Sequence, residues 1–331
     1  MKKPLVAIAM GDASGIGPEI TVKVLTNQGI WDQCLPLLIA DPDAMMDIAK
    51  VVDAKIGFRQ IEETSEALYV PGTIDLIRPD GVELGQIRFG SVSRDTGRAA
   101  SLCLEKAFRL AMEGKIDGVV SAPLNKEALH LAGNPYPDEL AYLADFTHSK
   151  DAYLVGRLDF AWTISVTHHI PFKDIVRHIT EASVLGHIQR MQGTLKRAGI
   201  TNARIAVSAL NPHKGEGGLF GREEIDLIVP AIEVARAKGM VVDGPFPGDT
   251  IFLTARDRGY QGIVSMYHDQ ANIARKIMAG TSGATVYMGL PVPCATPAHG
   301  TAFGKAGKGT ADPHGMKVAL ECTIMLASKS G

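Results

Sequence analysis

The sequence predicts an α/β fold built on a mainly parallel sheet, and three observations carry that prediction. Short runs rich in Val, Ile and Ala alternate with segments of helical period from end to end of the 331 residues, the pattern of βαβ units around a parallel sheet. Several of these runs are continuous apolar stretches that read as buried strands, among them Trp162–Val166, Ile205–Leu210 and Ile263–Met266. Glycine follows two long helical segments, at Gly114 and Gly239, where a helix C-cap would stand.

The elements follow in order. Pro4–Met10 is a strand, then comes the turn GDASGIGPE, then a helix from Pro18 to about Thr26. Pro18 suits the first helical turn, where its missing N–H costs nothing. Pro36–Ala40 is a second strand and Asp43–Val52 a helix. Lys55–Val92 holds strand-like pieces between turn signals, with no clear period. Thr96–Glu113 is a long helix, and Ile116–Ser121 is a strand that runs into the loop APLNKEAL. Thr180–Arg197 and Arg222–Lys238 are amphipathic helices, and Ala284–Leu290 is strand-like. There is no internal repeat and no low-complexity segment.

The chain is long enough for two domains with their own cores. A net charge of −2 gives no electrostatic case for nucleic acid or an anionic membrane. No run approaches the ~20 apolar residues of a membrane span. The apolar run PLVAIAM after the basic start stops at Gly11-Asp12, so it reads as a buried strand and not as a secretory segment. Cys34, Cys103, Cys294 and Cys322 are scattered without a CxxC pair, which suits a reducing cytoplasm.

Chemistry gathers in the loops. His169, His213 and His268 each follow one of the buried strands. Ligands of open α/β sheets bind beyond the carboxyl ends of the strands. Three imidazoles delivered there could hold one divalent metal with positions open to water or substrate; singly, each is an ordinary loop histidine. The glycine-dense loop around His213 carries Gly215 and Gly217, as if its backbone must approach a ligand. The stretch 298–313 holds His299, Gly300, Thr301, Ala302 and Gly307 among small residues, and could wrap a flat ring with main-chain N–H groups. Asp249 is either a turn residue or a carboxylate directed at a substrate hydroxyl or a metal water. Lys126 and Lys276 are either solvated or partners for an acidic substrate.

Seven segments in order, GDASGIGPE, SAPLNKEALHLAG, THHIPFKDI, ALNPHKGEGG, GPFPGDTIF, MYHDQ and HGTAFGKAGKG, resemble the 4-hydroxythreonine-4-phosphate dehydrogenase family of pyridoxal phosphate biosynthesis. The resemblance spans nearly the whole chain and extends more distantly to the isocitrate and isopropylmalate dehydrogenases. It implies their two-lobed fold with a cleft between lobes: a nucleotide-contacting lobe from residues 1–127 and 284–331, and a central metal-binding and dimerisation lobe from 128–283. His169, His213 and His268 match the family's metal ligands, two from one subunit and one from its partner, so a homodimer with its site at the interface is implied. The ion would be Zn, Mg, Mn or Co. The HGTAFGKAGKG loop is similar to the stretch that holds the adenosine part of NAD or NADP. Asp249 and Lys276 match positions that touch substrate. The implied chemistry is oxidation of a β-hydroxy acid by hydride transfer, followed by loss of CO2.

One place departs from the family's pattern. Where Gly, His and Thr are expected, NPYPDELAYLA carries Asp138, Glu139 and Leu140. Thr285 stands in place of an asparagine, and Cys294 in place of an arginine. Losing the arginine removes a bidentate anion clamp, and a carboxylate repels phosphate. The expectation is a paralogue acting on a different, unphosphorylated β-hydroxy acid, with Glu139 facing a substrate hydroxyl or amine. The alternatives are the family's own reaction, with phosphate held by other residues such as Lys126 and Lys276, and an inactive ligand-binding relative.

Overall fold

The computed structural model of the protein describes residues 2–280 and 283–328. They fall into two compact units, Met1–Leu154 with Ala284–Gly331, and Val155–Gly283. Strands are numbered along the chain.

In the first unit β1 (Leu5–Ala9), β2 (Leu35–Ile39), β3 (Gly57–Gln60), β4 (Thr73–Ile77), β5 (Gly118–Ser121), β11 (Ala284–Met288) and β12 (Cys294–Pro297) lie in the order β3-β4-β2-β1-β5-β12-β11. All neighbours are parallel except β11 and β12. The inner strands are apolar along almost their whole length because helices cover both faces, and nearly every residue of β1, β2 and β5 is buried. The Ser93 side chain caps the helix Arg94–Met112, and Gly114 leaves it at a φ of 68°. The weakly patterned stretch 55–92 contains β3 and β4. Its period is faint because β3 is an edge strand, half-exposed on both faces.

Residues 128–154 belong to this unit, whereas the sequence reading assigns them to the central lobe. The division at residue 127 would cut through the helix Lys126–Leu131, which packs on Arg94–Met112. Gly97 makes that packing possible, since a Cβ there would lie 2.1 Å from the Ala128 carbonyl oxygen. Further along, the Tyr142 hydroxyl donates to Glu105 at 2.6 Å.

In the second unit the order is β6 (Tyr153–Arg157, of which Val155 onward belongs to this unit), β7 (Trp162–Ser165), β10 (Gly262–Ser265), β8 (Arg204–Ser208) and β9 (Val241–Phe246). β6 and β7 are antiparallel, and the others run parallel. The helix Glu181–Arg197 begins with a capping box between Thr180 and Ser183. Its Met191 occupies the space above Gly262, where a Cβ would meet Met191 Cγ at 2.7 Å. The helix expected over Arg222–Lys238 is a π-turn, Glu224–Ile228, running into an α-helix, Val229–Ala237. Pro230 has no N–H for the α-helical bond, so the wider turn carries the chain past it. Among the described residues, no helix is long and apolar enough to cross a membrane.

Candidate functional site

Four parallel neighbours, β7, β10, β8 and β9, deliver their following loops to one edge of the second unit's sheet. His169, His268, His213 and Asp249 follow these strands in that order. The edge is thus where the sequence reading expects a ligand.

His169 and His268 meet, their ring centroids 5.5 Å apart at an interplanar angle of 50°. Two imidazoles bonded at about 2.0–2.1 Å to one tetrahedral ion would bring their centroids to roughly 5 Å, so the pair fits as half of a metal site. His268 opens the helix His268–Ala279, and its Nδ1 donates to Asp269 Oδ1 at 2.7 Å. That carboxylate fixes the ring and directs Nε2 outward.

His213 is built differently. His213, Lys214, Gly215, Glu216 and Gly217 all have positive φ, between 44° and 75°. Left-handed backbone in the three non-glycine residues costs roughly 1 kcal/mol or more apiece, so the turn must be held from outside. Glu224 holds it. Its Oε1 accepts the N–H groups of Leu210 and Asn211 at 2.8 and 2.7 Å, and its Oε2 accepts from the Asn211 amide at 2.9 Å. Glu224 is buried, and a Cβ on Gly215 would come within 2.8 Å of its Oε2. His213 itself is exposed, its Nδ1 donating to Glu216 Oε1 at 3.2 Å.

Among the described residues, no three His, Cys, Asp or Glu side chains gather closely enough in one chain to hold a metal. The structure brings together two of the three histidines and presents the third separately. Gln270 ties the two loops, accepting the Met266 N–H at 2.7 Å and donating to the Ala209 carbonyl at 2.9 Å. A cavity of about 830 Å³ opens beside them, its lining including His213, Asp249, Tyr267 and Asp269 together with the apolar Phe172, Ile273 and Ile277. Those three apolar side chains are 77%, 59% and 78% exposed, a large bare apolar surface for a single chain. Lys276 is exposed on the same helix as His268.

In the first unit, the loop after β12 carries His299, Gly300, Thr301, Ala302 and Gly307. Ala302 is left-handed (φ 43°), and a Cβ on Gly300 or Gly304 would meet nothing within 4 Å. The GDASGIGPE turn braces this loop. The Ile16 N–H donates to the Thr301 carbonyl at 3.0 Å, the buried Glu19 accepts from the Ala311 N–H at 2.7 Å, and Lys23 donates to the carbonyls of Gly309 and Ala311. Asp12 accepts from both the backbone N–H and the hydroxyl of Ser14. Gly215 and Gly217, read from sequence as approaching a cofactor, lie in the second unit. At Gly215 the space of a side chain is taken by Glu224.

The departures in NPYPDELAYLA have distinct fates. Asp138 caps the helix Glu139–Phe146, accepting the Ala141 N–H at 2.9 Å. Glu139 turns inward, and its Oε2 accepts from the Tyr287 hydroxyl at 3.1 Å. Cys294 is directly opposite Tyr287 across the β11–β12 pair; burial raises the pKa of both, and the nearby Glu139 raises them further. Burial pushes the Glu139 carboxyl up to about 7, opposed by the Ser121 and Tyr287 hydroxyls and, more weakly, by Lys126. Thr285, on the same strand, pairs with Thr296, and Leu140 is half-buried. Lys126 is exposed at the start of its helix.

Sequence reasoning missed Glu224, Tyr287 and Ser121. The Glu223-Glu224 doublet opening a helix after the glycine-dense loop is a signal that could have found the first. Tyr287 and Ser121 are strand residues with no local signature.

The family model described as pyridoxal phosphate biosynthetic protein PdxA matches residues 32–323. The chain is 40% identical over 329 residues to the D-threonate 4-phosphate dehydrogenase of Salmonella typhimurium strain LT2, covering 99% of this chain and 100% of that one. A crystal structure of a 4-hydroxythreonine-4-phosphate dehydrogenase from Burkholderia phymatum superposes with a TM-score of 0.84 at 39% identity, covering 98% and 99% of the two chains. A terephthalate 1,2-cis-dihydrodiol dehydrogenase from Burkholderia xenovorans LB400 gives a TM-score of 0.68 at 28% identity, with 98% of each chain covered.

Proposed function

The chain belongs to the family of the pyridoxal phosphate biosynthetic protein PdxA and is an oxidoreductase acting on a CH–OH group; from that premise we propose that it oxidises a β-hydroxy acid other than 4-hydroxythreonine 4-phosphate, with NAD or NADP as hydride acceptor. The observation that carries this reading is the pairing of His169 with His268 at 5.5 Å while His213 stands exposed on its own braced turn. Two ligands from one copy and one from a second would complete the site, so the working unit is a homodimer. The bare apolar wall of Phe172, Ile273 and Ile277 beside His213 supports a second copy docking there.

When bound, the divalent ion (Zn, Mg, Mn or Co) polarises the substrate oxygen; three imidazoles suit Zn or another borderline metal. His268 is oriented for this by Asp269, and His213 by Glu216 and the Glu224 brace. Asp249 would take the proton of the substrate hydroxyl, and a bound nicotinamide would supply the acceptor for the carbinol hydrogen as hydride. Lys276, on the helix that His268 opens, would supply positive charge for the substrate carboxylate. The 299–309 loop lies open at Gly300 and Gly304 for the adenosine of the cofactor. Loss of CO2 from the resulting β-keto acid follows.

A substrate without phosphate has a precedent within the same fold, since the relative at 28% identity is named for a dihydrodiol. The scattered cysteines suit the cytoplasm. The test is reduction of NAD and NADP by the metal-loaded protein across matched phosphorylated and unphosphorylated β-hydroxy acids. Turnover confined to the unphosphorylated acids supports the reading. Preference for 4-hydroxythreonine 4-phosphate overturns it in favour of the family's own reaction.

A further inference from the structure

The register between β10 and β8 runs from Gly262 opposite Ile205 to Val264 opposite Val207. Two residues further along each strand, at Met266 and Ala209, the link is made by a side chain. Gln270 Oε1 accepts the Met266 N–H at 2.7 Å, and its Nε2 donates to the Ala209 carbonyl at 2.9 Å. A side-chain amide carries the donor and the acceptor of a peptide group, so it can continue a ladder where the two backbones leave off. Met266 and Ala209 are both buried, and a buried backbone N–H without an acceptor is costly.

The neighbouring strand ends join the same line. The Met266 carbonyl accepts the N–H and the hydroxyl of Thr167, at 3.1 and 3.0 Å, and the Ala209 N–H donates to the Phe246 carbonyl at 2.7 Å. The Ala209 carbonyl also takes the Ser208 hydroxyl at 3.0 Å. A belt of hydrogen bonds thus crosses the carboxyl edge from β7 through β10 and β8 to β9. His169, His268, His213 and Asp249 each lie two to four residues beyond their strand's point in the belt.

Gln270 enters this belt from the first turn of the helix His268–Ala279. A cap at the start of that helix would account for the bond to Met266. It would not account for the reach to Ala209, 61 positions away in sequence. Gly248, just before Asp249, leaves room for the amide, since a Cβ there would lie 2.6 Å from Nε2. Gln270, Gly248, Asp249 and His213 line the same cavity.

We propose that Gln270 is a positioning residue of the metal and substrate site: its amide fixes the spacing between the strand end that carries His268, with His169 beside it, and the strand ends that lead to His213 and Asp249. This rests on the metal-dependent dehydrogenase reading above. In the dimer of that reading, the amide sets the offset between the imidazole pair a copy keeps and the single imidazole it lends.

The experiment compares wild type, Gln270→Met, Gln270→Glu and Gly248→Ala as full-length protein. Deuterium exchange of the Met266 N–H is read without metal, and cobalt(II) affinity and absorption spectrum are read by titration. Gln270→Met is close in size but leaves the Met266 N–H without its acceptor. That amide should exchange about 100-fold faster, while Val207 and Val264 keep their protection. Cobalt(II) affinity should fall about tenfold or more, with an altered spectrum. Gln270→Glu keeps an acceptor for Met266 and turns a carboxylate oxygen toward the Ala209 carbonyl, so protection should stay while cobalt(II) affinity falls. Gly248→Ala keeps the amide but crowds it, and should weaken cobalt(II) binding in the same direction. A role in stability alone would lower the unfolding midpoint and leave the spectrum of the folded protein as it was. Folded Gln270→Met with wild-type affinity and spectrum overturns the proposal, as does unaltered exchange at Met266. Failure of wild type to bind cobalt(II) would sink the metal reading instead, and exchange at Met266 would still decide whether Gln270 holds the edge.

Discussion

Glu224 clasps Asn211 twice: one buried carboxylate accepts both the backbone N–H and the side-chain amide of Asn211, at 2.7 and 2.9 Å. The left-handed turn from His213 to Gly217 is closed by the Lys214 N–H on the Asn211 carbonyl and the Phe220 N–H on the Gly215 carbonyl, and this clasp anchors it from outside. Glu224→Ala leaves the part-buried N–H groups of Leu210 and Asn211 without their acceptor, while the Asn211 amide keeps Glu223 at 2.6 Å, and should cost about 1–3 kcal/mol in denaturant unfolding. Zinc affinity, read by chelator competition, should fall at least tenfold. Glu224→Gln keeps one acceptor oxygen and should recover part of both losses. Unchanged metal affinity in a folded Glu224→Ala protein would detach this clasp from the site.

The separation of His213 from the His169–His268 pair predicts complementation. Proteins carrying His213→Ala and His268→Ala should each be inactive and fail to retain metal. After subunit exchange, half of the dimers are mixed and each mixed dimer has one intact site, so about one quarter of wild-type activity should return. No recovery, with exchange verified by mass spectrometry, would mean that each chain assembles its own site.

Glu139 predicts a pH dependence of stability. Its carboxyl is raised from 4.5 to about 7, so the folded state holds a proton that the unfolded chain has released across that window. Stability from this group is therefore present below about pH 4.5 and lost as the pH rises to 7. By pH 8 the loss amounts to roughly 3 kcal/mol. The groups facing it are Asp138, Lys126, Ser121, Tyr287 and Cys294. Glu139→Gln should raise Tm at pH 8 relative to wild type and leave it nearly unchanged at pH 5. An equal shift at both pH values would contradict the assignment.

Gly307 stands over Phe89, where a Cβ would lie 2.5 Å from the ring, at a φ of 70°. Gly307→Ala should displace the 299–309 loop and weaken NADH binding, measured by fluorescence titration, by about tenfold or more. Metal binding in the second unit should be unaffected. An unaltered NADH affinity would take the loop out of the cofactor site.

How far the sequence went can be argued from single residues. The strands before His169, His213 and His268 were legible because strands covered on both faces must be continuously apolar, and the carboxyl-edge rule then put the three loops on one side. The separation of His213 was not legible from spacing alone, because it arises from five consecutive left-handed residues and a clasp from Glu224. Only the resemblance implied a ligand from a second subunit. Similarly, DEL in place of the family's pattern announced an altered pocket. The inward turn of Glu139 toward Tyr287 joins positions 148 residues apart, which no local pattern records. The boundary at residue 127 failed because Gly97, far upstream, decides that the helix after it stays with the first unit.

The place of β12 in its sheet governs how the molecule is made. β5 takes β1 on one side and β12 on the other, pairing Val119 with Cys294 and Val120 with Ala295. During synthesis β5, apolar from Gly118 to Val120, therefore has no β12 partner until the second unit has been made. That edge is open to foreign strands throughout. Only when β12 arrives and the helix His314–Ala327 lays Thr323 over Gly118 does the nascent chain shut its most adhesive border. The domain begun first is completed last, and the vulnerable period of this protein's life is the interval between.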